Sequence, residues 1–399
     1  MRRMEFSIIL EAQTADASPA RESQVLHECV EQAVLAERMG FDRVWAVEHH
    51  CLKWYAHMSA PETFLAYVAG ATSRIRVGHG VVCLPFRMNH PIKVAERIAM
   101  LDVLSKGRVD FGVGKGGTEQ EAGAFDTRLE EIPAQLEESV RMIPRMWRED
   151  VFSHESERIR IPPRPIHPKP YQRPHPPLYL ACTREATLNQ AGEWGLGALV
   201  LGFAGPEDIE QKNRVYREAV RRRTPDSQVG EFAVDHLSAL CPAIVLDDGR
   251  RAREIGARGQ RFFTEAIRHW YGGGPPPRLD TEGQDNAQAL RSEGEALVAY
   301  LHEEKIEAGT ETTGLFNPNH AYGTAKDAIG YVERLAAAGA DEILFLMQMG
   351  TVPQAAILET IRQIGREVIP YFRADSAQDD ASARPTAAPA RASPLTRPC

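Results

Sequence analysis

Three consecutive residues, Glu48-His49-His50, combine a carboxylate with two imidazoles. Such side chains bind metals, and an imidazole that titrates near neutral pH can also accept or donate a proton. Adjacent residues on an extended chain point in opposite directions, so one metal ion would rarely bind both histidines, and no third ligand follows at a spacing such as H-E-x-x-H. We therefore expect no metal here. At least one histidine should contact a ligand or move a proton, the alternative being a structural histidine that is hydrogen-bonded in place.

A glycine-rich cluster, "GVGKGG" at 112–117, could contact a ligand through its backbone. Its glycines, Gly114 among them, permit close approach of the main chain, and Lys115 adds a positive charge suited to a phosphate. A tight turn with a solvated lysine is the alternative interpretation.

A second candidate for phosphate binding is "ACTREAT" at 181–187. Thr183 could cap the helix that follows and leave its free N–H groups for an anion, and Arg184 or Thr187 could add a contact. The alternative is a plain helix cap.

Two smaller clusters complete the set of candidate functional residues. "GHG" at 78–80 contains His79, which the pattern allows as a satisfied structural histidine or as a catalytic one. "MQMGT" at 347–351 offers Met347 and Gln348 as substrate contacts.

Each of these five clusters follows a short apolar run, and such runs alternate with longer amphipathic stretches, as in βα units. The strands are predicted at 4–10, 41–47, 74–85, 107–114, 178–183, 195–201, within 231–246 and late in 324–350. About eight such units favour a (β/α)8 barrel. A doubly wound sheet usually shows a Gly-rich phosphate turn after its first strand, whereas "EAQTADASPA" follows here. Because the reacting groups of a barrel sit at the C-terminal ends of its strands, all five clusters should meet at one mouth.

Three stretches interrupt the alternation. A proline-rich connector lies at 161–177. Residues 272–318 begin with "GGGPPP" and contain few large apolar residues, which predicts a long mobile loop before the last βα unit, able to serve as a lid. Residues 374–399 are rich in Ala, Pro and Ser and are predicted to be a disordered tail, so that the barrel domain would be 1–373.

The composition excludes several classes of protein. The chain has 399 residues, 43% of them hydrophobic, and a net charge of −8, which argues against a nucleic-acid surface. No apolar run is long enough to span a membrane or to form the core of a signal peptide. The 6 cysteines are scattered without a C-x-x-C pair, so neither a disulfide framework nor a zinc site is expected. The expected location is the cytoplasm.

Several motifs together resemble the bacterial luciferase-like flavin monooxygenase family, over about residues 4–372. The most specific are E-H-H after the second strand, V-x-L-P followed by H-P, and L-D-x-x-S-K-G-R-x-x-F-G. "RHWY", just before the segment 272–318, also resembles the region that precedes the mobile active-site loop of luciferase α-subunits. The order of these motifs agrees with the barrel predicted independently above.

The resemblance implies a monooxygenase that uses reduced FMN and O2, through a flavin C4a-peroxide, to oxygenate a small organic substrate. That substrate could be an aldehyde, a ketone or a specialised-metabolite intermediate, free or carried on a protein. A separate flavin reductase would supply the reduced FMN. The enzyme would be a homodimer, or a heterodimer with a related subunit. Family members carry a histidine at the position of His49 that assists the peroxide chemistry.

The resemblance also implies where the ligands lie. The FMN phosphate would contact Lys115 and the turn formed by Thr183, Arg184 and Thr187, and the ring would lie over the third and fourth strands. The residues implied around the ring are His79, Gly80, Val81 and Gly114, and those implied around the substrate are His50, Met347 and Gln348. The family often has a non-proline cis peptide bond beneath the ring, which by position would be Gly80–Val81.

This chain departs from the luciferase α-subunits at three positions. Gly114 replaces their reactive cysteine, and Thr183 and Arg184 replace an acidic residue and a serine of the phosphate turn. Light emission is therefore not expected. Two other functions stay open, namely hydride transfer with deazaflavin F420 as the cofactor, and a non-catalytic flavin-binding partner subunit.

Overall fold

The computed structural model describes residues 3–201, 205–303 and 317–374. Part of the predicted mobile loop, 304–316, and nearly all of the predicted disordered tail, 375–399, lie outside these described residues.

The first half of the chain alternates strands with helices. Its elements are β1 (Glu5–Leu10), α1 (Pro19–Arg38), β2 (Arg43–Ala46), α2 (Pro61–Ala71), β3 (Arg76–Cys83), α3 (Pro91–Leu104), β4 (Val109–Gly114), α4 (Glu119–Ala124), a 3-10 turn (Leu129–Glu131), α5 (Ile132–Arg148), β5 (Phe152–Glu155) and β6 (Arg160–Arg164).

The second half continues the same alternation. Its elements are β7 (Leu178–Cys182), α6 (Glu185–Trp194), β8 (Gly197–Val200), α7 (Pro206–Arg222), β9 (Leu237–Val245), α8 (Gly249–Gly272), α9 (Asn286–Glu303), β10 (Ala321–Gly323), α10 (Ala325–Ala337), β11 (Glu342–Leu346), α11 (Gln354–Gln363) and a π-helical turn (Ile364–Val368).

Eight parallel strands close into a barrel in the order β1-β2-β3-β4-β7-β8-β9-β11, with β11 returning to β1. Closure depends on β9, which pairs with β8 and β11 through its first half. Its second half pairs instead with the short β10, which stands beside the barrel as a ninth strand. The predicted (β/α)8 barrel is therefore confirmed.

The barrel strands are buried on both faces, as the near-continuous apolar runs predicted. All nine residues of β9 and all four of β2 are buried. Proline is the first residue of the helices α1, α2, α3 and α7. Its fixed backbone angle suits the first turn, and its missing N–H would have no partner within the helix there. Each helix thus starts at a defined residue, and this fixes the length of the loop that links it to the preceding strand.

The N-terminal ends of the strands are joined inside the barrel by a buried network of charges centred on Arg43. Its guanidinium donates to Asp110 at 2.6 Å and to Glu342 at 2.6 Å, although Arg43 is only 4% exposed. Glu342 also accepts hydrogen bonds from Trp45, at 3.1 Å, and from the hydroxyl of Ser7. Burial alone would raise the pKa of Glu342, but the Arg43 charge holds it far below its usual range.

Some elements were not anticipated. The connector predicted at 161–177 begins inside a hairpin, in which β5 and β6 pair antiparallel. The short α4 and β10 were missed as well. The predicted loop 272–318 contains the helix α9 within its described part. Within the described residues, no helix has both the length and the apolar character needed to cross a membrane.

Candidate active site

The two histidines lie at the C-terminal end of β2, at the mouth of the barrel, as predicted. The chain leaves the strand at Val47, whose N–H donates to Leu10 of the neighbouring strand end. The loop then returns, so that the N–H of His49 donates to the carbonyl of Met58 at 3.1 Å. This contact fixes the backbone from which His49 enters the mouth.

His49 pairs with a carboxylate that sequence reasoning did not identify. Its Nδ1 lies 3.0 Å from Oε1 of Glu121, on α4, and the same oxygen accepts the N–H of His50 at 3.0 Å. The other oxygen of Glu121 accepts the N–H and the hydroxyl of Thr118, at 3.1 and 2.9 Å. Glu121 is fully buried and accepts all four of these contacts. Because an ionised carboxylate can only accept hydrogen bonds, the proton shared by His49 and Glu121 lies on Nδ1 of His49.

The pair has a defined charge state. Burial lowers the pKa of His49, but the hydrogen bond to Glu121 and the charges of Glu121, Glu11 and Glu48 outweigh it, and the pKa is raised. Burial alone would raise the pKa of Glu121. Its hydrogen bonds outweigh burial, the one to His49 most of all, and the pKa of Glu121 is lowered. Nε2 of His49 has no hydrogen-bond partner in the described part of the chain, so it is free to meet a ligand.

Glu48 and His50 form a second pair that supports the rim. Glu48 accepts Nδ2 of Asn89 at 2.7 Å and the N–H of Cys83 at 2.8 Å, and it lies 3.0 Å from Nε2 of His50. The ring of His50 packs edge-on against Phe125, with centroids 4.9 Å apart. Glu48 therefore orients His50 and not His49, and the predicted substrate contact of His50 stays a prediction.

Aromatic side chains wall the mouth beside His49. The ring of Tyr55 meets His49 at a centroid distance of 5.1 Å and Phe263, on α8, at 5.4 Å. Tyr55 also shares a hydrogen bond with Tyr271, whose hydroxyl lies where a side chain on Gly117 would have to stand. The end of α8, including the "RHWY" motif, thus reaches over the glycine-rich loop after β4.

A carboxylic acid, Glu11, lies in the same wall, one residue beyond β1. It is 7% exposed, and its Oε2 is buried without a hydrogen-bond partner in the described chain. Burial and the negative charge of Glu121 raise its pKa to about 7, in spite of the opposing charge of His49. Sequence reasoning did not select this residue.

The tops of β3 and β4 form a platform of small side chains. The Gly80–Val81 peptide bond is cis, which confirms the expectation from the resemblance. Val81 faces Gly114, where a Cβ would overlap the valine, so glycine is required there by packing between the strands. His79 points the other way: Gly78 and Gly80 face Trp45 inside the barrel, and alternation turns His79 toward Arg97 of α3.

His79 is accordingly a buried, neutral histidine behind the platform. Burial and the positive charge of Arg97 lower its pKa to about 3, and the residue is 1% exposed. Its predicted contact with a cofactor could be made only through its backbone.

Two cations converge at the ends of β4 and β7. Lys115 and Arg184 are close enough to interact, because Arg184 adds to burial in lowering the pKa of Lys115. Among the described residues, neither makes an ion pair with a carboxylate, and no carboxylate contributes to the pKa shift of Lys115. Thr183 and Thr187 lie in the same turn, but the helix cap is Arg184 and not Thr183 as predicted, and Thr187 closes the turn through its hydroxyl.

The last cluster has a mainly structural arrangement. Gln348 accepts the N–H of Gln13 at 2.7 Å and donates to its carbonyl at 2.6 Å, which ties the loop after β1 to the loop after β11. Met347 is buried beside it. The structure brings both to the rim, and their contact with a substrate stays a prediction.

A possible metal cluster lies at the opposite end of the barrel. Ligand atoms of Glu5, His236 and Glu342 come within 4.8 Å of one another. Arg43 already binds both of these carboxylates, at 3.0 and 2.6 Å, so a metal ion would have to displace a guanidinium. This arrangement does not favour a metal.

Of the residues missed, Glu121 had a readable signal. "TEQE" at 118–121 is a capping box, which places Glu121 at the start of a helix directly after the glycine-rich loop. Glu11 also directly follows a predicted strand, and that position was its only signal in the sequence. Tyr55 and Tyr271 carried no signal, since only the fold brings them to His49.

Comparison with known proteins places the chain in a family. The luciferase-like monooxygenase family model matches residues 4–342. The oxygenase component of flavin-dependent trigonelline monooxygenase from Acinetobacter baylyi is 25% identical over 375 residues, which cover 92% of this chain and 96% of the relative.

Two solved structures share the fold. The oxygenating constituent of 3,6-diketocamphane monooxygenase from Pseudomonas putida, in complex with FMN, matches with a TM-score of 0.67 and 18% identity, over 92% of this chain and 98% of that one. The F420-dependent tetrahydromethanopterin reductase from Methanopyrus kandleri matches with a TM-score of 0.65 and 20% identity, over 93% and 99%.

A closed (β/α)8 barrel with an acid–base pair at its mouth is the architecture of an enzyme. Since the family model spans most of the chain, the protein belongs to the luciferase-like monooxygenase family, and the resemblance seen in its motifs is confirmed.

Proposed function

We propose that this chain uses reduced FMN and O2 to oxygenate a small organic substrate such as an aldehyde, a ketone or a specialised-metabolite intermediate. The observation that carries the proposal is that one mouth combines the His49–Glu121 acid–base pair with two cations, Lys115 and Arg184, that have no described acidic partner. Reduced FMN would supply the two electrons that activate O2.

The residues at the mouth fit a flavin phosphate. A phosphate would relieve the repulsion between Lys115 and Arg184, and the hydroxyls and N–H groups of the turn after β7 could donate to it. The small side chains of Val81 and Gly114 leave a flat surface on which an aromatic ring could lie.

His49 would handle the proton at this site. Because Nδ1–H is held by Glu121, the proton would move at Nε2, the nitrogen that has no partner among the described residues. The ionised Glu121 stabilises the positive ring when Nε2 is protonated, as the raised pKa of His49 indicates. His49 can therefore hold a proton near neutral pH and transfer it to or from a reacting oxygen.

The aromatic wall would exclude water. Tyr55, Phe263 and Tyr271 pack edge to face beside His49. Excluding water strengthens the charge interactions inside the mouth and suppresses the loss of activated oxygen as H2O2.

The proposal includes a partner and a location. The trigonelline relative is named an oxygenase component, which supports a separate flavin reductase for this chain as well. The five described cysteines are free, as expected in a reducing compartment, and the cytoplasm remains our prediction.

A dimer, of two copies or with a related subunit, is part of the same proposal. The packed helices α2 and α3 expose Tyr67, Met100 and Leu104, with 64%, 54% and 67% of each accessible. Exposed apolar side chains on two packed helices fit a protein interface. We expect a dimer by sedimentation equilibrium and a monomer for the Met100→Glu, Leu104→Glu variant; a monomeric wild type would contradict this.

The function is tested by supplying NADH, a flavin reductase, FMN and isotopically labelled O2, with a panel of aldehydes and ketones. We expect one labelled oxygen atom in a product. His49→Ala should lower the rate of product formation by roughly 10²- to 10⁴-fold while O2 is still consumed as H2O2. His27→Ala, which removes an exposed histidine on α1, is the matched control and should behave as wild type.

Normal coupling in His49→Ala would contradict the role of that residue, and failure of the wild type to bind reduced FMN would contradict the function. Hydride transfer with F420 is the second candidate, because the Methanopyrus reductase shares the fold. It predicts tighter binding of F420 than of FMN, and turnover without O2.

A further inference from the structure

The carboxyl group of Glu11 is exceptional among the acids at the mouth. Glu48 and Glu121 each accept several hydrogen bonds from the protein. Glu11 is equally buried, yet its side chain makes no hydrogen bond to any described residue, and its Oε2 is fully enclosed. A buried polar group without a partner is rare and calls for a ligand or a functional reason.

The position of Glu11 is fixed by its backbone and not by its carboxyl. Its carbonyl accepts the N–H of His57 at 3.2 Å. Two residues later, Gln13 is held by both ends of the Gln348 side chain and donates to the carbonyl of Tyr55 at 3.2 Å. The carboxyl is thus presented from a rigid strand end without contributing to the hydrogen bonds that hold it.

The groups that face Glu11 come from every wall of the mouth. The charge of Glu11 shifts the pKa of His49 after β2, of Tyr55 in the following loop and of Tyr271 at the end of α8. The charge of Glu121, on α4, in turn shifts the pKa of Glu11. His49 is the only cation in this group, and it is already paired with Glu121. An uncharged Glu11 suits these surroundings better than a second carboxylate does.

We propose that Glu11 is a substrate-binding residue whose neutral O–H donates a hydrogen bond to an uncharged oxygen of the substrate, such as a carbonyl or hydroxyl. The inference rests on the proposed function and deepens it, because it places the oxygen-bearing end of the substrate between Glu11 and Nε2 of His49. Two donors converging on one oxygen would orient a carbonyl compound and polarise it toward attack.

A carboxylate cannot donate this hydrogen bond. Ligand affinity should therefore fall as the pH rises through about 7, the pKa to which burial raises Glu11. Glutamine keeps a donor at every pH, and leucine removes it at every pH, so the two variants separate the hydrogen bond from the titration.

The test is binding of decanal, a neutral carbonyl probe, to the full chain at about pH 6 and pH 8.5 by titration calorimetry. We expect wild-type affinity to fall roughly five- to tenfold between the two values, the amount of one hydrogen bond. Glu11→Gln should bind equally at both, and Glu11→Leu weakly at both. Glu119→Gln, which removes an exposed carboxylate from α4, is the matched control and should follow the wild type.

An independent readout is the carbon NMR spectrum of protein labelled at glutamate, in which one carboxyl signal titrating near pH 7 should disappear in Glu11→Gln. The same pH ratio in wild type and Glu11→Gln, or no decanal binding at pH 6, would overturn the proposal. These results are separate from the FMN and O2 assay: a Glu11→Gln enzyme that still forms product would leave the function standing while the binding data decide on Glu11.

Discussion

The two ends of the barrel use the same kinds of side chain to opposite effect. At the N-terminal ends of the strands, Arg43 is enclosed by carboxylates, and Glu342 accepts from Arg43, Trp45 and Ser7. At the C-terminal ends, Glu11 is also buried but has no described hydrogen-bond partner. Nε2 of His49 likewise has no hydrogen-bond partner in the part of the chain that the structure describes. One end is saturated, and the other retains donors and acceptors for a ligand.

The difference shows in the protonation of two buried glutamates. Burial raises the pKa of both. Arg43 reverses the effect for Glu342, whereas the charge of the already paired His49 only partly opposes it for Glu11, whose pKa rises to about 7. Burial alone therefore does not decide whether a carboxyl is charged; the neighbours supplied by the fold decide it. A network in which every polar group is paired stabilises the fold, whereas one with unpaired groups can bind a ligand.

The largest effect is expected from breaking the saturated end. Arg43→Met leaves Glu342 buried without its guanidinium and takes from Asp110 one of its two arginines, the other being Arg76. Removing one partner of a buried pair costs about 3–5 kcal/mol. Urea unfolding followed by circular dichroism measures the loss. Arg3→Gln breaks an exposed pair with Asp42 and should cost less than about 1 kcal/mol; equal losses in the two variants would contradict the comparison.

The next effect tests the unsaturated end through its pH dependence. Folding raises the pKa of Glu11 from 4.5 to about 7, so between these values the folded chain binds more protons than the unfolded chain and stability falls as the pH rises. The full penalty, about 3 kcal/mol, is present above pH 7. Glu11→Gln should therefore be more stable than wild type near pH 8, and the two should differ little near pH 5.

At the saturated end of the barrel, the change of stability with pH has the opposite sign. Glu342 has a lowered pKa when folded, so its contribution is present above its unfolded pKa and is lost as the pH falls. In unfolding curves, the difference in stability between Glu11→Gln and wild type should grow as the pH rises from 5 to about 7 and level off above that. A constant difference across this range would show that Glu11 does not titrate as stated.

A smaller effect is expected from Glu121→Gln. The amide can accept from Nδ1–H of His49, but it no longer stabilises a protonated ring, so the pKa of His49 should fall. We expect product formation to drop by about 10- to 100-fold, with the acid limb of the rate profile moved to lower pH. A lower rate with an unmoved profile would indicate only a loss of packing at α4.

The smallest effect concerns the cation pair. Lys115→Met removes one positive charge from the proposed phosphate site and should weaken FMN binding about tenfold, while riboflavin, which lacks the phosphate, should bind as before. Lys106→Met, an exposed lysine just before the other end of β4, is the control. Equal weakening for FMN and riboflavin would place the phosphate elsewhere.

Much of the architecture was readable from local patterns. The βα alternation predicted the barrel, and the rule that strand ends carry the chemistry placed His49, Lys115 and Arg184 at one mouth. The hairpin was missed because β6 runs into a proline-rich stretch, which carries no strand period, and β5 has only 4 residues. The sequence could not show that Gln348 uses both ends of its side chain to hold Gln13, and its contact with a substrate stays a prediction.

The sequence by itself determined the eight-stranded barrel, the family and the position of Glu48-His49-His50, because these depend on apolar periodicity and on short motifs that are local in the chain. Only the tertiary structure decided that Glu121 and not Glu48 holds His49, that His79 faces away from the mouth, and that Glu11 has no hydrogen-bond partner among the described residues. Hydrogen bonding and burial depend on side chains that meet from distant parts of the chain. The protonation state of each acid therefore becomes defined only once the barrel closes.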